Sequence, residues 1–523
     1  MELKQKNTFI KGALFLTLAG FISKVLSAAY RIPLQNLTGD HGFYIYQQVY
    51  PFLGMIIILS LYGLPSAIAK IIADFERTKK GVTFRTVFGP IFILLFFSFS
   101  FLAAVLFFSA EKLASLLGDP KLAVSYRWVS IALLVVPFTA LFRGIFQGFG
   151  RVDVIAYSQI GEQLIRVAII IISAVLIAKG FFNVYSIGTF GVFASIAGAI
   201  MAIIILLIFI KTSHVTIDGE IQVAWLDYGK TLLLFGLFAS LNHMILLLTQ
   251  FADVFTLVPH LVKSGFTPIK AMELKGVFDR GMPLIQLGTV VGSSFALALV
   301  PTVVRENLSS SRSTIESSLK ISFLVSAGAV IGLILIFEET NVLLYKNASG
   351  TFTLQVLSLS ILLTTMSITA VSVLQSLGYL KRTGIYIICT FIVKWILNVL
   401  LIQHLGILGS SLATVGSLLF LLVASLWELR RRIAGFRFLQ TSLIKPFCIA
   451  AASMVLFLLL VKGLLPYENL TSRSSLFFYV VFVVLGGAGI YMFFLLRLGL
   501  FSREEIETFP FASLLGRIYK GRD

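Results

Sequence analysis

Charge is scarce in this chain of 523 residues. Charged side chains make up 13% of it, against roughly 25% in an average soluble protein. Acids are the scarcer sign, 24 Asp plus Glu against 42 Lys plus Arg. So few charges cannot cover the surface of a soluble fold of this length, and they exclude a disordered chain as well. Cysteine is nearly missing. Cys389 and Cys448 lie in apolar runs without CxxC spacing, which excludes a disulfide scaffold and a cysteine metal centre. The five histidines, His41, His214, His243, His260 and His404, are scattered, with no HExxH and no other ligand spacing. No GxxxxGK[ST] run cradles a nucleotide phosphate, which excludes an ATP-driven pump. No GxSxG elbow, paired carboxylates or Asp-rich loop points to an enzyme. No metal site and no cofactor are expected.

What fills the chain is apolar: 58% hydrophobic residues, with a mean hydropathy of +0.97. They fall in blocks of about 20, the length that crosses a bilayer core. About 14 spans are expected on that criterion. Spans 1–6 lie near 8–30, 44–72, 86–109, 124–148, 154–179 and 185–210. Spans 7–12 lie near 230–259, 280–304, 319–338, 352–377, 384–403 and 407–427. Spans 13 and 14 lie near 446–464 and 475–497. The longest connections, near 260–279 and 428–445, have room for a short surface helix at most. The net charge of +18 sits mainly in short loops, as the positive-inside rule asks, so nucleic acid is not an expected partner. Lys4, Lys6, Lys11, Arg77, Lys79, Lys80, Arg85, Arg143, Arg151, Lys211, Lys230, Arg305, Arg312, Lys320, Lys381, Arg382, Arg430–Arg432, Arg437 and Lys445 fall on one side. That places both termini in the cytoplasm of a multi-pass protein whose first helix stays uncleaved.

The chain also repeats itself. Residues 129–169 lie over 357–397 without a gap, putting Gln147 on Gln375, Gly150 on Gly378 and Arg166 on Lys394. Gly188-x-x-Gly191 with Gly198 then answers to Gly406-x-x-Gly409 with Gly416. Spans 4–6 thus return as spans 10–12 in the same orientation. The expected architecture is an all-α membrane protein of two six-helix lobes, 1–210 and 211–429, in parallel repeat. Residues 430–523 add two more helices and a tail. Lobes related by an axis along the membrane normal are a transporter plan.

Charges inside the spans need a reason, since each costs about 2.5–3.5 kcal/mol at mid-bilayer on insertion scales. Lys24 and Arg31 are two turns apart on one face of span 1, a cationic stripe with no acid at matching spacing. Arg280 opens span 8 and Asp253 lies in span 7. These suit a cavity that receives an anion, because arginine offers a fork for phosphate oxygens. Asp253 is a coupling site for H+ or Na+, or a partner of Arg280. Glu162 and Arg166, four apart in span 5, read as a local structural pair. Lys70 sits near the end of span 2, where it can snorkel.

Several segments resemble a known family. They are FIKGALFLTLAGFISKVLSAAYRIPL (9–34), GFYIYQQVYPFLGMIIILSLYGLPSAIAK (42–70), SIALLVVPFTALFRGIFQGFGRVDVIAYSQIGEQLIRV (130–167) and FDRGMPLIQLGTVVGSSFALALVPTV (278–303). They are similar to the polysaccharide-exporter branch of the MOP superfamily, within it the MurJ and stage V sporulation protein B group of lipid II flippases. The resemblance implies the MOP transporter fold with a cationic central cavity, and a flippase, not an enzyme. Its substrate would be a polyprenyl-pyrophosphate-linked glycan, lipid II or a related wall or capsule precursor. It also implies a bacterial cytoplasmic membrane, a monomer, and membrane lipids and cell-wall synthesis machinery as partners. Ser23-Lys24 stands where the family has Ser-Arg, Arg31 matches its second arginine with a shift of one residue, and Arg280 matches within Asp279-Arg280. The family's span 2 arginine falls near Ile57 and is absent; Asp40 lies only near its acidic residue. In the family, spans 13 and 14 form an apolar groove suited to the lipid tail. Gln47, Gln48, Asn242 and Gln286 are candidate partners for sugar hydroxyls. The alternatives are a small-molecule antiporter of the same superfamily and a membrane glycosyltransferase or polymerase.

Overall fold

The computed structural model describes residues 18–77, 87–210, 225–305, 308–436, 438, 441–470, 472–507 and 519. Lys4, Lys6, Lys11, Lys79, Lys80, Arg85, Lys211 and Arg437, which enter the orientation argument, lie outside these residues. Every regular element among the described residues is helical. A chain in hydrocarbon must satisfy each backbone polar group within itself, and apolar helices do so residue by residue.

Among the described residues, twelve helical stretches are long and apolar enough to cross a bilayer. The first, Leu18–Phe75, has 58 residues. A single helix of that length would run about 87 Å, far beyond a core of roughly 30 Å. It breaks at Gly39 (φ 70°, ψ −179°) into span 1 (18–38) and span 2 (40–75). The polar run from Arg31 to Thr38, which reads as a loop after residue 30, is helical instead. Its backbone continues from the first helix through Tyr30 N–H to Leu26 and Leu34 N–H to Tyr30. Spans 3–7 are Gly89–Leu116, Pro120–Gly148, Val152–Ala178, Ser186–Ile210 and Trp225–Lys263. Helix Gly281–Arg305 is span 8. Spans 9–14 are Arg312–Leu335, Thr351–Ser376, Leu380–Leu405, Ile407–Arg432, Leu443–Asn469 and Arg473–Arg497. Among the described residues, dividing the first stretch at Gly39 and adding Gly281–Arg305 gives the fourteen expected.

The repeat is visible in the backbone. Span 4 ends at Gly148 and span 5 begins at Val152; span 10 ends at Ser376 and span 11 begins at Leu380. These limits keep the offset of the sequence repeat. Each turn needs a left-handed residue at the same place, and glycine supplies it: Gly150 (φ 72°) and Gly378 (φ 92°).

Packing separates two compact units, Met1–Asp279 and Arg280–Asp523. The boundary falls one span later than residue 210, where the repeat divides the lobes. In the first unit, spans 2 and 7 come to backbone contact. A Cβ at Gly63 would lie 2.5 Å from the Gly236 carbonyl oxygen. Helices lacking a hydrophobic drive to associate gain van der Waals contact in this way. The segment Pro268–Asp279, expected at most as a surface helix, instead buries Lys275 to Asp279 against span 2. Gly276 allows this approach, since a Cβ there would run into the Asp40 carbonyl.

In the second unit, spans 13 and 14 and the short helix Arg503–Glu507 after them are fastened to the consecutive helices Leu308–Leu335 and Phe337–Tyr345. Lys320 pairs with Glu505 at 2.7 Å, and the Tyr491 hydroxyl donates to the Leu324 carbonyl at 2.8 Å. Lys462 pairs with Glu339 at 2.8 Å and donates to the Leu335 carbonyl. Between these polar ties lies an apolar core that includes Ile321, Met454, Leu458 and Val483.

Gly276→Ala is expected to lower stability by roughly 1–3 kcal/mol, the usual range for overpacking. The thermal unfolding midpoint of the purified protein checks this. A midpoint equal to wild type would mean that the helix does not dock as described.

Candidate functional site

Span 1 carries its two cations into different surroundings. Arg31 is 0% exposed, and its guanidinium carbon lies 4.0 Å from the centroid of the Tyr50 ring. Tyr30 and Tyr46, hydrogen bonded to each other, flank it. Its three guanidinium nitrogens make no well-formed hydrogen bond to the described residues, although the Tyr30 hydroxyl is close enough to interact with them. The tyrosine faces stabilise the cation but leave the fork unused, which costs about 1–3 kcal/mol for each buried donor. Lys24 is exposed and lies within electrostatic reach of Tyr50 and His243. The His243 ring stacks on Tyr62 at 4.0 Å. The shared face implied by their spacing thus has one closed end and one open end. Gln47 and Gln48, further along in span 2, are buried with their side-chain carbonyl oxygens unpaired.

An acid–base cluster lies beside this region in the first unit. Asp253 of span 7 is buried, as are Lys275 and Asp279, which pair at 2.7 Å. Burial pushes the Asp279 carboxyl up to about 6. Asp253 adds to the rise, while Lys275 and Arg31 oppose it. Sequence reading named Asp253 but missed the Lys275–Asp279 pair, although its i,i+4 spacing was available.

In the second unit, Arg280 is also 0% exposed. Its guanidinium donates to Asn347 Oδ1 at 2.7 Å and lies over the Tyr345 ring at 5.3 Å. The Tyr345 hydroxyl in turn donates to the Arg280 carbonyl at 2.8 Å. Arg280 therefore holds the start of span 8 to the turn after helix Phe337–Tyr345, whatever else it binds.

Glu162 and Arg166 do pair, and a third residue joins them. Arg143 donates to Glu162 Oε2 at 2.6 Å and to Ser158 at 3.2 Å. Arg143 is not the loop residue expected, because span 4 stays helical to Gly148 and buries it completely. Its partners are 15 and 19 residues away, a spacing that no local pattern signals. At the repeat-equivalent position, the buried Lys394 ammonium donates to the Ser410 carbonyl, Ser410 Oγ and Thr414 Oγ1 at 2.7–3.0 Å. Lys70 rests over the Phe235 ring at 4.6 Å. Among the described residues, no group of three or more His, Cys, Asp or Glu side chains could hold a metal ion.

The Asp279 shift gives a signed expectation. An unfolded aspartate ionises near pH 4, the folded one at about 6. Between these values the folded state holds more protons, so stability falls as pH rises through the window and levels off above it. The fall is about 3 kcal/mol. Thermal midpoints from pH 4 to 7 should show the slope in wild type and lose it in Asp279→Asn.

Known proteins share this architecture. A family model described as polysaccharide biosynthesis protein matches residues 9–305, more than half of the chain. The uncharacterized membrane protein YabM of Bacillus subtilis (strain 168) is 36% identical over 524 residues, covering 98% of this chain and 97% of that protein. The lipid II flippase MurJ of the same organism is 25% identical over 451 residues, covering 79% of this chain and 82% of MurJ. A solved structure of lipid II flippase MurJ in an inward closed conformation superposes with a TM-score of 0.66. It is 14% identical and covers 92% of this chain and 98% of that one. The chain belongs to the polysaccharide biosynthesis protein family, among the multi-pass membrane flippases and transporters that share the fold of MurJ.

Proposed function

We propose that the protein flips a polyprenyl-pyrophosphate-linked glycan, lipid II or a related precursor, across the cytoplasmic membrane of a bacterium. The observation that carries this reading is Arg31, wholly buried among tyrosines with no well-formed hydrogen bond from its guanidinium to the described residues. A cation kept in this state is unfavourable until an anion arrives, and a pyrophosphate oxygen pair fits its fork. Lys24, exposed on the same helix, supplies a second positive charge, and Arg280 of the second unit is the third candidate phosphate contact. Gln47 and Gln48 offer acceptors to sugar hydroxyls. The headgroup enters from one face of the membrane and leaves at the other, while the tail stays in lipid. Asp253, with the Lys275–Asp279 pair beside it, is the place for a coupling proton or cation. The similarity to MurJ supports a lipid-linked substrate. Both termini are assigned to the cytoplasm, and the cell-wall synthesis machinery is the expected neighbour of a monomeric flippase that needs no cofactor.

The test is rescue of bacteria depleted of their own lipid II flippase, comparing wild type with Arg31→Ala, Arg31→Lys and Arg280→Ala at matched membrane levels. Wild type should restore growth and the appearance of lipid II at the outer face. Arg31→Ala should cut that rate at least about tenfold, a loss of ~1.4 kcal/mol or more. Arg31→Lys should retain part of it, because the charge survives without the fork. Failure of a well-expressed wild type would move the substrate to another lipid-linked glycan. Full activity of Arg31→Ala would remove the assigned site.

A further inference from the structure

Cations gather where spans 11 and 12 meet at one end. Lys381 and Arg382 lie in the first turn of span 11, and Arg430, Arg431 and Arg432 fill the last turn of span 12. Glu428, with a side chain 1% exposed, ties the two ends together. Arg382 Nη1 donates to its Oε1 at 2.7 Å, Arg432 Nε to the same oxygen at 2.9 Å, and the Tyr386 hydroxyl to Oε2 at 3.1 Å. Both guanidinium groups also lie over the Tyr379 ring, at 5.8 and 4.7 Å from its centroid. Lys381, Arg430 and Arg431 are exposed and pair with no acid among the described residues.

Helix and topology rules account for only part of this charge. The C-terminal turn of span 12 favours its three arginines, but the first turn of span 11 is the positive end of a helix and disfavours cations. Six spans separate the turn before span 5 from the turn before span 11, so the positive-inside rule asks the same of both. In the repeat, however, Asp153 stands at the place of Lys381 and Val154 at that of Arg382. Asp153 pairs with Arg151 at 3.3 Å, and Val154 is buried. The fold therefore does not require a cationic end at this turn.

Each cationic end heads an exposed apolar strip. Along span 11 the strip is Ile385, Ile388, Ile392 and Ile396, 41–52% exposed; along span 12 it is Leu419, Val423 and Trp427, 48–58% exposed. Steps of three and four residues keep each strip on one helix face. Arg431 closes the second strip, its guanidinium carbon 4.7 Å from the centroid of the Trp427 ring. An exposed tryptophan at a span end marks the headgroup level of a bilayer. We propose that the joined ends of spans 11 and 12 bind the phosphodiester of an anionic phospholipid, whose acyl chains lie along these strips. The arginine forks suit phosphate oxygens, and the surplus of cations favours an anionic headgroup over a zwitterionic one. The apolar strips favour a lipid over free phosphate. Glu428 positions Arg382 and Arg432, and the site is independent of the transported substrate.

The experiment measures binding of phosphatidylglycerol, labelled on one acyl chain with a fluorophore, to the full-length protein in neutral detergent by anisotropy. Unlabelled phosphatidylglycerol should displace the probe. Phosphatidylcholine with the same chains should do so at least about tenfold more weakly, and glycerol 3-phosphate should not displace it. Arg430→Gln combined with Arg431→Gln should weaken binding at least about tenfold. The thermal midpoint of that variant should equal wild type, since neither side chain holds an ion pair. Lys381→Gln should weaken binding in the same direction, whereas Lys270→Gln, which removes an exposed cation of the first unit, should leave it unchanged. Equal displacement by phosphatidylcholine, displacement by glycerol 3-phosphate, or full binding in the double variant would each overturn the proposal. Stronger displacement by a polyprenyl pyrophosphate than by phosphatidylglycerol would also overturn it and give the patch to the transported lipid.

Discussion

Hydrocarbon solvates no charge, and that constraint organises both units of this protein. Each buried cation is answered in one of a few ways. Lys394 meets neutral oxygens from the neighbouring span, Lys275 meets a carboxylate one turn away, and Arg143 shares Glu162 with Arg166. Arg280 meets an amide oxygen and an aromatic face. Arg31 meets only rings by the same measure. In a set of matched charges, the one whose hydrogen-bonding capacity is held in reserve is the natural place for a ligand to act.

The two halves of the repeat solve the same problem with different chemistry. Span 5 uses arginine and a carboxylate where span 11 uses lysine and hydroxyls. The backbone plan is common to both, including the glycine turn that precedes each helix. Arginine needs a planar partner and distributes several donors, whereas an ammonium is satisfied by a compact cage of oxygens. The duplicated helices therefore kept their geometry while their interiors diverged.

Much of this was legible beforehand. Apolar blocks of bilayer length located all fourteen spans, because the period of insertion is set by lipid thickness and not by tertiary contacts. The repeat was carried by polar residues at matching positions, and the helix limits follow it. Partners across helices were not legible. Arg143 looks like a loop arginine until span 5 brings Glu162 to it. Lys320 and Glu505 are separated by most of the second unit. The helix Pro268–Asp279 is short and only moderately apolar, so its burial depends on Gly276 opposite Asp40, which no periodicity reports. Arg31 was placed on the right helix, but its enclosure by Tyr46 and Tyr50 comes from span 2 folding back at Gly39, with Tyr30 beside it in span 1.

That fold-back has a mechanical side. A single residue joins spans 1 and 2, and Gly39 is continuous with helix on both sides. Loops ordinarily absorb relative motion between the elements they join; this connection has almost no slack. Rotation or sliding of span 1 must be passed directly to span 2, where Tyr46 and Tyr50 sit against Arg31. The two helices behave as one bent lever with its binding group near the elbow. Anything that immobilises the outer surface of span 2 also immobilises Arg31, without touching the site itself.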